Sequence, residues 1–106
     1  MAIVAKRPDV ITRVADALRR DNVRFSDHAI ERMDERLHEF GLDENDVFRV
    51  LGKGWREEEK DEWDELHQEW NYAFRGKTID AVELRISVAL KAGGVLVITV
   101  INLELR

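Results

Sequence analysis

With 106 residues, 22 acidic against 17 basic side chains and a formal charge of −5, the chain has the size of one domain and no general attraction to nucleic acid. At this length roughly 65% of the unfolded surface can be buried, so residues 1–106 are expected to form a single domain without staples. The absence of cysteine excludes disulfides, thiolate metal sites and cysteine nucleophiles, and is compatible with a cytoplasmic setting. Lys6, Arg7 and Asp9 interrupt the short apolar start, so neither an export signal nor a membrane anchor is expected.

Val10, Ile11, Val14, Ala17 and Leu18 recur at three- and four-residue intervals, which predicts a helix over residues 8–20. Pro8 suits its first turn and Asp21-Asn22 its stop. A second helix is expected to begin at Ser26, whose hydroxyl can cap a free N–H, with Phe25 and Ile30 spaced as a hydrophobic staple. Ile30, Met33 and Leu37 form its expected buried stripe and Gly41 its end, while His28, Arg32 and Arg36 repeat every four residues beside that stripe. Asp43 is the expected cap of a third helix carrying Val47, Phe48, Val50 and Leu51, terminated by Gly52-Lys53-Gly54.

Seven acids, Glu57, Glu58, Glu59, Asp61, Glu62, Asp64 and Glu65, then crowd one stretch relieved only by Lys60; outside it the chain is nearly neutral. Residues 55–67 fit a helix, an irregular strand or a loop. The tract reads first as a solvated surface segment, with a basic partner or the shielding of a basic site as its functional readings.

From Glu69 the period becomes two. Trp70, Tyr72 and Phe74 alternate with Asn71, Ala73 and Arg75; Val82, Leu84, Ile86, Val88 and Leu90 alternate with Glu83, Arg85, Ser87 and Ala89. Lys91-Ala92-Gly93-Gly94 supplies a turn, and residues 95–101 are apolar on both faces, as in a covered strand. The expected architecture is α+β: helices over residues 8–51 packed on a three-stranded, or slightly larger, antiparallel meander over residues 69–104.

His28 is the leading chemical candidate. Histidine exchanges a proton near neutral pH, its unperturbed value being about 6.5, and arginines such as Arg32, Arg36 and Arg85 can hold a phosphate and the charge that builds on its oxygens. These residues together describe a metal-independent ribonuclease site in which the RNA 2′-hydroxyl is the internal nucleophile. The plainer alternative is a surface histidine, with Arg32 paired to Glu31, Glu35 or Glu39 along its own helix. His28, His38 and His67 lack a close ligand pair, so neither a metal nor another cofactor is expected. Trp70 and Phe74 read as core; Tyr72 is left between core and a base-binding role.

The run Phe25-Ser26-Asp27-His28-Ala29-Ile30-Glu31-Arg32-Met33 with Arg36 resembles the F-S-x-H-A-x-x-R-M-x-x-R signature of the domain-of-unknown-function family numbered 4258. Asp46-Val47-Phe48-Arg49-Val50-Leu51, Tyr72, Gly76 and Val97-Ile98-Thr99-Val100 follow in that family's order, so the resemblance covers roughly residues 23–101. That family is similar, more distantly, to the MqsR-type and RelE-type messenger-RNA interferases, small α+β toxins neutralised by an antitoxin. Lys6-Arg7 before an amphipathic helix, and Glu83-Leu84-Arg85-Ile86-Ser87 on a strand, resemble the MqsR-type pattern, in which the position of Arg85 is usually a lysine.

The resemblance implies a RelE/MqsR-like fold, with His28, Arg32 and Arg85 catalytic and Arg36, Tyr72 and Thr99 binding substrate. It also implies RNA as substrate and an antitoxin or other protein as partner, with a homodimer left open. The chain differs from those toxins in its acidic balance and its acidic tract. The competing expectation is a non-catalytic protein-interaction domain that keeps the fold and uses its sheet or acidic tract.

Overall fold

A computed structural model describes residues 3–34 and 42–104. Helix α1, Val10–Arg19, turns Val10, Val14 and Ala17 into the core, while Ile11, expected beside them, faces solvent. It begins two residues later than expected, with Pro8 outside the helix, and ends where Asp21 adopts a positive φ and the Asn22 N–H donates to the Ala17 carbonyl. Strand β1, Val23–Phe25, follows at once.

Helix α2, Asp27–Arg32, starts at the expected cap: Ser26 Oγ accepts the Ala29 N–H at 3.0 Å. Its buried residues are Ala29 and Met33, and Ile30 is 48% exposed instead of lining the core. The expected positions Arg36, Leu37, His38 and Gly41 lie outside the described residues.

Helix α3, Glu44–Lys53, opens with a reciprocal capping box: Asp43 Oδ1 accepts from Asn45 and the Asp46 carboxylate accepts the Asp43 N–H. It runs through Gly52 and stops at Gly54, where a Cβ would collide with the carbonyl oxygens of Val50 and Arg75. Only glycine therefore lets the chain pass so close to the sheet on leaving α3.

The acidic stretch resolves into an irregular edge: β2, Trp55–Arg56; a 3-10 turn, Glu58–Lys60; and β3, Glu62–Asp64. Strands β4, Glu69–Lys77, β5, Glu83–Lys91, and β6, Gly94–Asn102, form the expected antiparallel meander, closed by a turn in which Gly93 has φ of 80°. The sheet is larger than three strands and mixed. It has six strands in the order β1-β6-β5-β4-β2, with β3 also on β4 and β1 parallel to β6 through Val23↔Val95 and Phe25↔Val97.

Two locally weak segments at either edge thus complete a sheet whose centre is locally strong. Among the described residues, three helices cover one face, where Tyr72, Phe74, Leu84, Ile86, Val88, Val95, Val97 and Val100 meet Val10, Val14, Val47, Val50 and Leu51 in one cluster. In β6 the register slips at Ser87↔Thr99 and Val88↔Val97, leaving Ile98 as an extra residue. That bulge lets Val97 and Val100 both turn inward, which explains why the strand reads as apolar on both faces. No helix among the described residues is long and apolar enough to cross a membrane.

Candidate functional site

The motif-bearing helix is anchored at the bulge of β6. The Ser26 N–H donates to the Val97 carbonyl at 2.9 Å, extending the β1 pairing by one bond, and Ser26 Oγ donates to the Ile98 carbonyl at 3.3 Å. One hydroxyl therefore caps α2 and binds the irregular carbonyl of the strand. His28 follows in the first turn and is exposed; Arg32, one turn on and on the same side, is half-buried. Neither makes a hydrogen bond or ion pair with another described residue. The helical pairing of Arg32 with Glu31 considered above is therefore not made.

Arg85 stands on the sheet face opposite the helices, because it alternates with the buried Leu84 and Ile86. Across the strands it faces Arg75 on one side and Ile101 on the other, and Arg75 in turn faces Trp55. The neighbouring row on this face is Ala73, Ser87 and Thr99, so Arg85 and Thr99 share one surface. Two arginines directly opposite would repel. Glu57 resolves this: its Oε1 accepts from Arg85 Nε at 2.5 Å and its Oε2 from Arg75 Nη1 at 3.0 Å, while Arg75 Nε also reaches Glu83 Oε1 at 2.6 Å.

Glu57 is only 6% exposed. The hydrogen bond from Arg85 holds its carboxyl below the usual glutamate value, against the upward push of burial and with help from Arg75. Arg75 is pushed upward by its bonds to Glu83 and Glu57.

The second buried acid of the tract works on the β4 edge. Asp61 Oδ1 accepts the Ala73 N–H at 2.7 Å, the Glu57 N–H donates to the Ala73 carbonyl at 2.9 Å, and so a side chain completes the ladder where β2 and β3 are interrupted. Arg56 grips Asp61 through both terminal nitrogens and lies 5.4 Å over the rings of Tyr72 and Phe74, and Lys6 approaches Asp61 at 3.1 Å. Burial pushes Asp61 upward, but the bonds from Arg56, the Ala73 N–H and Lys6 outweigh it and its carboxyl lies below the usual value. The tract is therefore not simply a solvated segment: it sends one buried carboxylate to a pair of arginines on the outer face and another to the sheet edge.

Tyr72 is enclosed in the core, and its hydroxyl accepts the Arg7 N–H at 2.8 Å. With Trp70 Nε1 donating to the Val4 carbonyl at 2.7 Å, it fixes the N-terminal arm across the sheet edge. It lies on the opposite sheet face from Arg85 and Thr99, as strand alternation requires. Arg36 lies outside the described residues.

The structure thus gives two groups: His28 and Arg32 on α2, and Arg85 with Thr99 on the outer face. No hydrogen bond or ion pair among the described residues joins them. The sequence does not single out Trp55, Glu57 or Arg75, which the structure sets beside Arg85. The signal for Arg75 was present, since it shares outward parity on its strand as Arg85 does on the next; Glu57 was hidden among six other acids. Among the described residues, no group of three His, Asp or Glu side chains is placed to hold a metal ion.

The family model described as Domain of unknown function (DUF4258) matches residues 25–102, from Phe25 just before the α2 cap to the end of β6. No curated protein and no solved structure matches the chain.

Proposed function

This chain belongs to the DUF4258 family, and from that premise we propose that it is a toxin-like, metal-independent endoribonuclease of the RelE/MqsR type. His28 is the general acid or base and Arg32 binds the scissile phosphate, while Arg85 and Thr99, on the sheet face opposite the helices, hold the substrate away from the scissile bond. The 2′-oxygen of RNA attacks the adjacent phosphorus as its proton leaves, and the bond to the 5′-oxygen breaks as that oxygen gains a proton. The products are a 2′,3′-cyclic phosphate and a 5′-hydroxyl, and histidine exchanges a proton readily enough for either transfer.

The observation that carries this reading is the docking of α2: Ser26 ties its first turn to the β6 bulge, and His28 and Arg32 remain exposed or half-exposed with no partner among the described residues. A histidine and an arginine on a helix seated against the sheet, with their polar atoms not engaged by other described residues, are available to a substrate. The second support is the expected likeness of Lys6-Arg7 with its following helix, and of the Arg85 strand, to the MqsR-type pattern.

Expression of the wild type and of His28→Ala in cells, with growth followed and RNA ends mapped, tests the proposal. Growth arrest with new 5′-hydroxyl ends in the wild type alone is the expected result. Identical RNA profiles and no arrest in either would sink the enzyme, and equal toxicity of both would remove His28 from its role.

One observation favours the second reading, a non-catalytic protein-interaction domain. Arg85, the strand cation of the expected site, is already neutralised by Glu57. On that reading the outer face or the exposed acids of the tract bind an antitoxin or another protein, and the expression experiment gives no RNA cleavage.

A further inference from the structure

Four side chains line up across the face of the sheet opposite the described helices: Trp55, Arg75, Arg85 and Ile101, on β2, β4, β5 and β6 in that order. Trp55 is 52% exposed at one end and Ile101 46% exposed at the other. The two arginines between them converge on a single carboxylate, one on each oxygen of Glu57. A carboxylate bridging two guanidinium groups occupies the position that a phosphate would take, since planar arginine forks bind both anions through the same paired N–H geometry. Arg85 Nη1 and Nη2 have no hydrogen-bond partner among the described residues, so the fork is not saturated.

Beside this seat, an indole on the open edge of a sheet offers a flat apolar surface for which the described structure supplies no ring partner. Trp63 and Trp70, by contrast, pack against each other at 5.7 Å. From Trp55 to Arg85 the backbone separation is two strand spacings, about 10 Å, which long arginine side chains shorten further.

We infer that this row is a nucleotide seat of single-stranded RNA, with a phosphodiester between Arg75 and Arg85, a base stacked on Trp55, and Glu57 as the internal anion that holds the seat until the phosphate displaces it. The inference rests on the reading of the protein as RNA-directed and adds three residues to it. It explains why an exposed tryptophan stands next to a pair of arginines, and why the acidic tract sends Glu57 across the edge onto this face. It also sets a direction: with Glu57 in place the row of Arg75, Arg85, Glu57 and Glu83 is electrically balanced, so RNA affinity is held down by this chain's own carboxylate.

The test uses the full chain and a fluorescent single-stranded oligoribonucleotide with 2′-O-methyl riboses, which binds but lacks the nucleophile for cleavage. Fluorescence anisotropy at fixed low salt is expected to show Glu57→Gln binding about tenfold more tightly than wild type, as a charge-assisted competitor is lost. Trp55→Ala is expected to bind about fivefold or more weakly, the size of one lost base stack. Glu59→Gln, which removes an exposed charge from the same tract, is expected to stay within about twofold.

The inference is overturned if Glu57→Gln binds no more tightly than Glu59→Gln, if Trp55→Ala binds as wild type does, or if no variant binds at all. Should Glu57→Gln fail to fold, the exposed position of Trp55 leaves the second comparison decisive. Oligoglutamate competing as well as unlabelled oligonucleotide would also overturn it and assign the face to an acidic protein. Because the probe cannot be cut, the nuclease can fail while the seat stands: binding follows the expected order but unmodified RNA stays intact. The converse, cleavage of unmodified RNA with unchanged binding in the Trp55 and Glu57 variants, removes the seat and leaves the nuclease.

Discussion

The α2 motif and the Arg85 row carry the same kind of side chain in opposite states. His28 and Arg32 make no bond to other described residues, whereas Arg85 and Arg75 are tied to Glu57 and Glu83. The difference lies in what stands nearby. Among the described residues, the hydrogen bonds that seat α2 run to its own first turn and to the Val97 and Ile98 carbonyls; around Arg85 a segment from far along the chain delivers a buried acid. Availability of a charge is thus a non-local property, even where the residue type is a local one.

The largest effect that can break this contrast is expected at the acidic tract itself. Asp61→Ala removes a fully enclosed carboxylate from Arg56, Lys6 and the Ala73 N–H, and is expected to cost about 3–5 kcal/mol in urea denaturation. A loss below about 1 kcal/mol would return the tract to the status of a solvated segment. The same carboxylates set an acid limb. Asp61 and Glu57 both lie below their unfolded values in the folded chain, so their contribution is complete above about pH 4.5 and is lost as pH falls through the folded values. Stability of the wild type should therefore drop on acidification below that point, and Asp61→Asn should flatten the drop.

Next in size is Arg85→Ala, which leaves Glu57 buried with Arg75 alone and is expected to cost about 1–3 kcal/mol. Ser26→Ala follows at about 1 kcal/mol, the loss of one cap, with faster hydrogen exchange at the Ala29 amide as its local signature. The smallest changes are expected at His28→Ala and Arg32→Ala, within about 0.5 kcal/mol of wild type by the same denaturation measurement. If either of these proved as destabilising as Arg85→Ala, the contrast between a free motif and an engaged row would be gone.

Elements governed by neighbours in sequence were legible. The caps at Ser26 and Asp43 need only a side chain and the N–H two or three residues on, and the alternation of β4 and β5 is visible in any window of nine residues. What escaped were segments whose structure is imposed from a distance. β1 has three residues and becomes a strand because β6 offers a parallel edge some seventy positions later. β2 and β3 were obscured by seven acids, two of which are buried only because Arg56, Arg75 and Arg85 meet them. Periodicity places Ile30 and Met33 in the core; Met33 is buried there, but the helix turns Ala29 inward in place of Ile30.

The candidate site divided the same way. His28 and Arg32 are legible in a compact motif and Arg85 in strand parity, whereas Thr99 enters only through the family resemblance. Tyr72 shares the parity of the core residues Trp70 and Phe74, but a phenol suits a buried hydrogen bond and a base contact equally, so its residue type leaves the choice open. Glu57 carried no signal beyond its charge.

The parallel pairing of β1 with β6 also dictates an order of assembly. Ser26 cannot be seated until Val97 and Ile98 exist, so during synthesis the helix bearing His28 must wait for almost the entire sheet to emerge. Any nascent chain that stops short of β6 carries the complete motif but lacks the support that fixes it, so assembly of the candidate site is timed by the emergence of β6.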